Sequence, residues 1–186
     1  MPNWVKNKIK FMGNDEENAK ILNYIRSENE VESVVEEQYN AIDFNKIIPI
    51  PDYIYVGDLG EKERKKYGKN NWYDWCIENW GTKWNATDTY AFENEVFFDT
   101  AWDSPILVFE KLTKLFPNVD MELTYADEDM GENIGKVTYK DGSFSVSSYN
   151  ACNDGNVAWD IYIDLWGDED LEKDENGNWQ IRYEED

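Results

Sequence analysis

The spacing of apolar residues switches from a period of two to a period near 3.6, and this switch, made twice, limits the fold more than any other feature. In WVKNKIKFMG (4–13), Val5, Asn7, Ile9 and Phe11 alternate against Lys6, Lys8 and Lys10, which mark a solvated face of a strand. NDEENAKILNYIRSE then reads as a helix. Asn14 is placed to cap it, and Asp15, Glu16 and Glu17 fill the first turn, where the helix dipole favours negative charge. Ile21, Leu22 and Ile25 share its apolar face. The pattern returns in EVFFDTAW (95–102), where Val96, Phe98, Thr100 and Trp102 alternate against Phe97, Asp99 and Ala101. That strand runs into DSPILVFEKLTKLFPN, with Ser104 expected as the N-cap, Pro105 as the first helical residue and Pro117 as the stop. Val119, Met121, Leu123 and Tyr125 then alternate through a strand over 119–129.

The intervening and trailing segments fill out the plan. Val31, Val34 and Val35 suggest a second strand within the acidic stretch 28–40. Pro49 and Pro51 impose an extended run, after which EKERKKYG (61–68) reads as a short basic helix. NNWYDWCIENWG (70–81) predicts another helix, capped by Asn71 and ended by Gly81 in the left-handed conformation. IGKVTYK and SFSVSSY flank Asp141-Gly142, the signature of a β-hairpin with a type I′ turn. NVAWDIYIDLWG (156–167) alternates Trp159, Ile161, Ile163 and Leu165 against Asp160, Tyr162, Asp164 and Trp166 and is expected as a strand. An Asn176-Gly177 turn followed by NWQIRY allows a final edge hairpin or a partly ordered acidic tail. The expectation is a single α+β domain over 1–186, with a ferredoxin-like split β-α-β antiparallel sheet. A helical insertion occupies about 45–94, and a C-terminal β-hairpin and strand extension occupies 141–186.

Specific elements, taken in order, resemble a known family. MPNWVKNKIKFMG at the start, FNKIIPIP (44–51), WCIENWGTKWNA (75–86) and FDTAWDSP (98–105) are similar to the YubB-type ferredoxin-like family of phages, plasmids and integrated elements. The resemblance covers roughly residues 1–140. It implies the fold and a mobile-element setting, and it brings no catalytic residues with it.

Charge and composition narrow the function classes. With 40 Asp and Glu against 18 Lys and Arg, the net charge is −22, which repels nucleic acid and anionic membranes. The same charge would draw the chain to a basic protein surface, or would simply keep an aromatic-rich protein soluble. There is no histidine, which removes His-based triads and His metal clusters. Cys76 and Cys152 form no CxxC spacing. No G-x-S-x-G, P-loop or Rossmann glycine pattern is present, so no cofactor or metal is expected, and an enzyme would have to rely on carboxylates, Tyr or Lys. The opening residues lack an apolar h-region, and no apolar run approaches the ~20 residues of a membrane span. The expected location is the cytoplasm, that of the host cell if the chain is phage-encoded.

Two constellations stand out. Trp80, Lys83, Trp84 and Asn85 would converge with Trp102 and Asp103 if the strand ending at Trp102 pairs near residues 82–90. Indole faces there would stack on a base, a sugar or a cation, or would instead wedge the insertion onto the sheet. The carboxylates Asp127, Glu128, Asp129, Asp160, Asp164, Asp168, Glu169 and Asp170 form the candidate surface for a basic partner. DENGN (174–178) fails the EF-hand spacing, because Tyr183 stands where a bidentate Glu is needed. The expectation is a non-enzymatic accessory protein that mimics nucleic acid toward a basic partner, such as a host defence nuclease. A small-ligand protein or modest enzyme at the Trp80–Trp102 region is the alternative.

Overall fold

The computed structural model describes residues 2–27 and 40–182. Strand β1 (Trp4–Phe11) buries Val5, Asn7, Ile9 and Phe11 and turns its lysines to the opposite face. Helix α1 (Asp15–Ile25) starts in a capping box: Asn14 Oδ1 accepts from Glu17 N–H at 3.0 Å, and Glu17 Oε2 accepts from Asn14 N–H at 3.1 Å. The strand expected within 28–40 lies outside the described residues.

Three helices follow: α2 (Phe44–Ile47), α3 (Glu61–Tyr67) and α4 (Trp72–Trp80). Asn71 caps α4 through its side-chain oxygen, and Gly81 ends it at φ 82°, a conformation that costs glycine nothing. Next come β2 (Thr87–Phe92), β3 (Glu95–Ala101), α5 (Ile106–Leu115), β4 (Met121–Asp127), β5 (Ile134–Lys140) and β6 (Ser143–Tyr149). The chain closes with α6 (Ala151–Asp154), α7 (Asn156–Trp166), and the hairpin β7 (Leu171–Lys173) and β8 (Trp179–Ile181).

The main sheet runs β2-β3-β1-β4-β5-β6, antiparallel at every junction. Its first four strands, with α1 and α5, make the expected ferredoxin-like plan, and β5 and β6 widen it. The 134–149 hairpin turns at Asp141 and Gly142, both at positive φ, as a type I′ turn requires. Gly135 has a different reason to be glycine: a Cβ there would lie 2.3 Å from the ring of Tyr125, its cross-strand partner. One hydrophobic core fills the α1/α5 side of the sheet, from Val5 and Ile9 through Phe98, Phe109 and Leu123 to Tyr139.

Three expectations need correction. Residues 156–167 are helical, not a strand. Ala158, Trp159 and Tyr162 fall on one side of α7 and join Ala126, Ile134 and Leu171 in a second core cluster. The segment is so rich in apolar residues that both periods fit it, and helix lets it cover the second face of the sheet. That face is therefore not simply solvated: Lys8 pairs with Asp164, and Lys6 Nζ lies 4.3 Å from the Trp166 ring centre. The insertion also ends sooner than 94, because 87–92 is the edge strand β2. Finally, α5 begins one residue later than expected, with Pro105 at its N-cap, and the Ser104 hydroxyl donates to Asn7 Oδ1 at 2.7 Å.

Candidate functional site

The expected aromatic constellation divides in two. Trp80 is 2% exposed, packs edge-on against Phe44 and Trp75, and donates its Nε1–H to Ile48 O at 2.9 Å. It fastens α4 and α2 to the core. Asn85 is equally occupied: its oxygen accepts from Phe44 N–H and Ala86 N–H, and its amide donates to Asp43 at 2.7 Å. Trp80 is enclosed in the core, whereas Asn85 is partly buried with its side chain committed to Asp43 and the backbone.

Lys83, Trp84 and Trp102 do come together. Lys83 Nζ sits 4.1 Å from the Trp84 ring centre and 4.6 Å from that of Trp102, so the ammonium is held between two indoles. Trp4 extends the cluster beyond Trp84 at 6.1 Å, and Tyr73 extends it beyond Trp102 at 6.2 Å. Arg64 lies over Tyr73 at 5.3 Å. Sequence reasoning missed Trp4, Tyr73 and Arg64. The register of β1 against β3, which sets Trp4 opposite Ala101, is the signal that would have found Trp4.

Trp102 is the unusual member. Its backbone is left-handed at φ 75°, costly for a bulky residue, and its side chain is 42% exposed. A buried polar network holds the turn that imposes this. Asn7 donates to Thr100 Oγ1 at 2.9 Å and to Val5 O at 2.8 Å, and Thr100 donates to Asp103 O at 2.9 Å. Thr82 donates to Ala101 O at 2.8 Å from the other side. Asp103 belongs to the same turn: its carboxylate accepts from Ser104 N–H at 2.8 Å, and desolvation raises its pKa above the usual carboxylate range.

The expected acidic surface also divides. Asp127 is buried and accepts from Asp129 N–H, Asn3 and Asn133, while Glu128 accepts from Trp4 N–H at 3.0 Å and Asp129 from Asn3 at 2.6 Å. These three staple the end of β4 to the start of β1. Asp164 is paired with Lys8. Asp160, Asp168, Glu169 and Asp170 are exposed, and among the described residues no ion pair reaches their carboxylates. The two nearby cations are engaged elsewhere. Lys173 lies over Trp179 at 4.7 Å, and the Arg182 guanidinium donates to the carbonyls of Glu169 and Leu171. Leu171, Trp179 and Ile181 pack the hairpin onto the α7 cluster, which seats this acidic surface beside the second core cluster.

Burial pushes the Cys76 thiol up to about 12, which keeps it protonated, and Cys152 is exposed on the single-turn helix α6.

The family model for the ferredoxin-like domain in Api92-like proteins matches residues 79–175. The match begins at the end of α4 and runs into the turn before β8, so it takes in α7. A crystal structure of a protein api92 from Yersinia pseudotuberculosis aligns at a TM-score of 0.45 and 9% identity, covering 81% of this chain and 99% of that one. None of the curated proteins compared matches.

Proposed function

The chain belongs to the family defined by the ferredoxin-like domain in Api92-like proteins, and from that premise we propose that it is a binding protein that docks its α7–β8 acidic surface onto a basic partner. One observation carries the reading: Asp160 on α7 and Asp168, Glu169 and Asp170 in the turn between α7 and β7 stand exposed, while Lys173 and Arg182 are turned to an indole and to carbonyls. Carboxylates left without counter-charge on this surface resemble a phosphate row in the respect that a basic nucleic-acid channel reads: dense negative charge. A net charge of −22 speeds encounter with such a surface. The resemblance to YubB-type proteins supplies a setting, a mobile element acting in the host cytoplasm. There the partner would be a nucleic-acid-handling defence protein and the effect inhibition.

The test is capture from host lysate with the natural chain and with a variant carrying Asp160→Asn, Asp168→Asn, Glu169→Gln and Asp170→Asn. The reading expects a partner that the natural chain retains, that the variant loses, and whose nucleic-acid binding the natural chain blocks. Equal capture by both proteins would count against it.

A second reading has one specific observation in its favour. The left-handed Trp102 holds an exposed indole beside Lys83 and Tyr73, a platform suited to a nucleotide or sugar. Saturable quenching of indole fluorescence by such a ligand, lost in Trp102→Ala, would raise this reading over the first.

A further inference from the structure

A cavity of about 230 Å³ opens on the α7 side of the sheet, lined by Lys6, Asp88, Tyr90, Phe97, Asp99 and Leu165. Its walls come from four elements. Tyr90 and Phe97 are cross-strand partners, and their rings stack in parallel with centres 4.6 Å apart. The β2 register shifts between Thr87 and Tyr90, and Asp88, within that irregularity, has φ 47°. Leu165 closes the α7 side.

The Asp99 carboxylate is the unexplained group. It is half-buried, yet no hydrogen bond or ion pair reaches it among the described residues. Its cross-strand neighbour on β1 is Lys6, the obvious counter-charge. Lys6 instead holds its ammonium over Trp166, 4.3 Å from the ring centre. A half-buried carboxylate that the protein offers no donor is only partly hydrated, and a ligand that brings donors and positive charge relieves the remaining cost. Two carboxylates against one lysine leave the cavity negative. Among the described residues no third carboxylate or cysteine joins them to form a metal cage, and the ring wall suits an organic head group.

We propose that this cavity binds an organic cation through a guanidinium or ammonium head, which Asp99 and Asp88 hydrogen-bond while the Tyr90 ring packs against its stem. The head can belong to a free small amine or to an arginine or lysine side chain of another protein. The site stands independently of the α7–β8 docking surface. Burial raises Asp99 to about 6, with Lys6 opposing the rise and Asp88 adding to it; Tyr90 on β2 lines the same space, and Asp164 on α7, paired with Lys8, acts on Tyr90 from outside the lining. The carboxylate must be ionised to bind, so affinity falls as pH drops through that value.

The test is titration of the isotopically labelled full chain with ethylguanidinium chloride at constant ionic strength, followed by NMR at Tyr90, Phe97, Leu165 and the Trp166 indole. The expected result is saturable shifts confined to these residues, weakened about tenfold in Asp99→Asn. Asp52→Asn, an exposed acid outside the cavity, should leave binding unchanged. Lys6→Met should tighten it by removing the competing charge, a gain that structural damage would not produce. Shifts that never saturate, or equal losses in Asp99→Asn and Asp52→Asn, overturn the proposal. A blocked arginine peptide distinguishes the sources. If it displaces ethylguanidinium, the head group arrives on a protein. If it does not while ethylguanidinium binds, the ligand is a free amine.

Discussion

At the scale of single residues, side chains of one type have opposite duties, set by what surrounds them. Trp80 and Trp84 lie four positions apart, yet one is a core plug with its indole N–H bonded to Ile48 O and the other is half of a surface sandwich around Lys83. Trp80→Ala should therefore cost about 3–5 kcal/mol of stability. Trp84→Ala should cost about 1 kcal/mol, because it removes a cation–π contact near the surface. Denaturant unfolding of the two variants checks this directly. Asp99 makes a pH prediction with a defined sign. Its folded pKa is raised from 3.8 to about 6, so the folded state holds its proton more tightly than the unfolded chain does. Stability from this group is present in acid and is lost as pH rises through that window. Asp99→Asn should then stabilise the protein at neutral pH by about 1 kcal/mol once solvent screening of a partly exposed group is allowed for. The gain should vanish below about pH 4. Thermal unfolding of both proteins across pH reads the difference.

At the scale of elements, local signals were sufficient wherever one periodicity excluded the other. The lysine alternation of β1, the capping box of α1, the Asn71 and Gly81 ends of α4 and the Asp141-Gly142 turn were all legible in the sequence, because each is a local requirement. The segment that became α7 was not. Trp159, Ile161, Ile163 and Leu165 satisfy a strand as well as a helix, and only the uncovered face of the sheet decides between them. The candidate site was legible to a similar degree. Lys83, Trp84 and Trp102 converge because β2 pairs with β3, as the sequence suggested. Asn85 and Asp103 were drawn into backbone hydrogen bonds that no spacing announces. The cavity beside Asp99 was invisible because it depends on α7 packing over β4 and β1 and bringing Leu165 to its wall. If α7 is held by its aromatic side, Trp159→Ala should destabilise the protein by about 3 kcal/mol or more. Hydrogen exchange should then show α7 and the β7–β8 hairpin opening together, before the sheet, because they share one core cluster.

At the scale of the whole molecule, charge and scaffold act together. A ferredoxin-like sheet, covered on one face by α1 and α5 and on the other by α7, carries a surplus of negative charge that its own lysines do not cancel. On α3 and around Lys83 the local balance is basic and aromatic, while the α7–β8 surface is acidic. Such asymmetry orients an encounter as well as accelerating it. The most direct test of the docking account is the affinity of a captured partner measured across a salt series. The account predicts that the logarithm of affinity falls linearly with the logarithm of salt concentration, and that the slope shrinks when Asp160, Asp168, Glu169 and Asp170 are neutralised. An affinity that stays level from low to high salt, with the neutralised chain binding as well as the natural one, would contradict it.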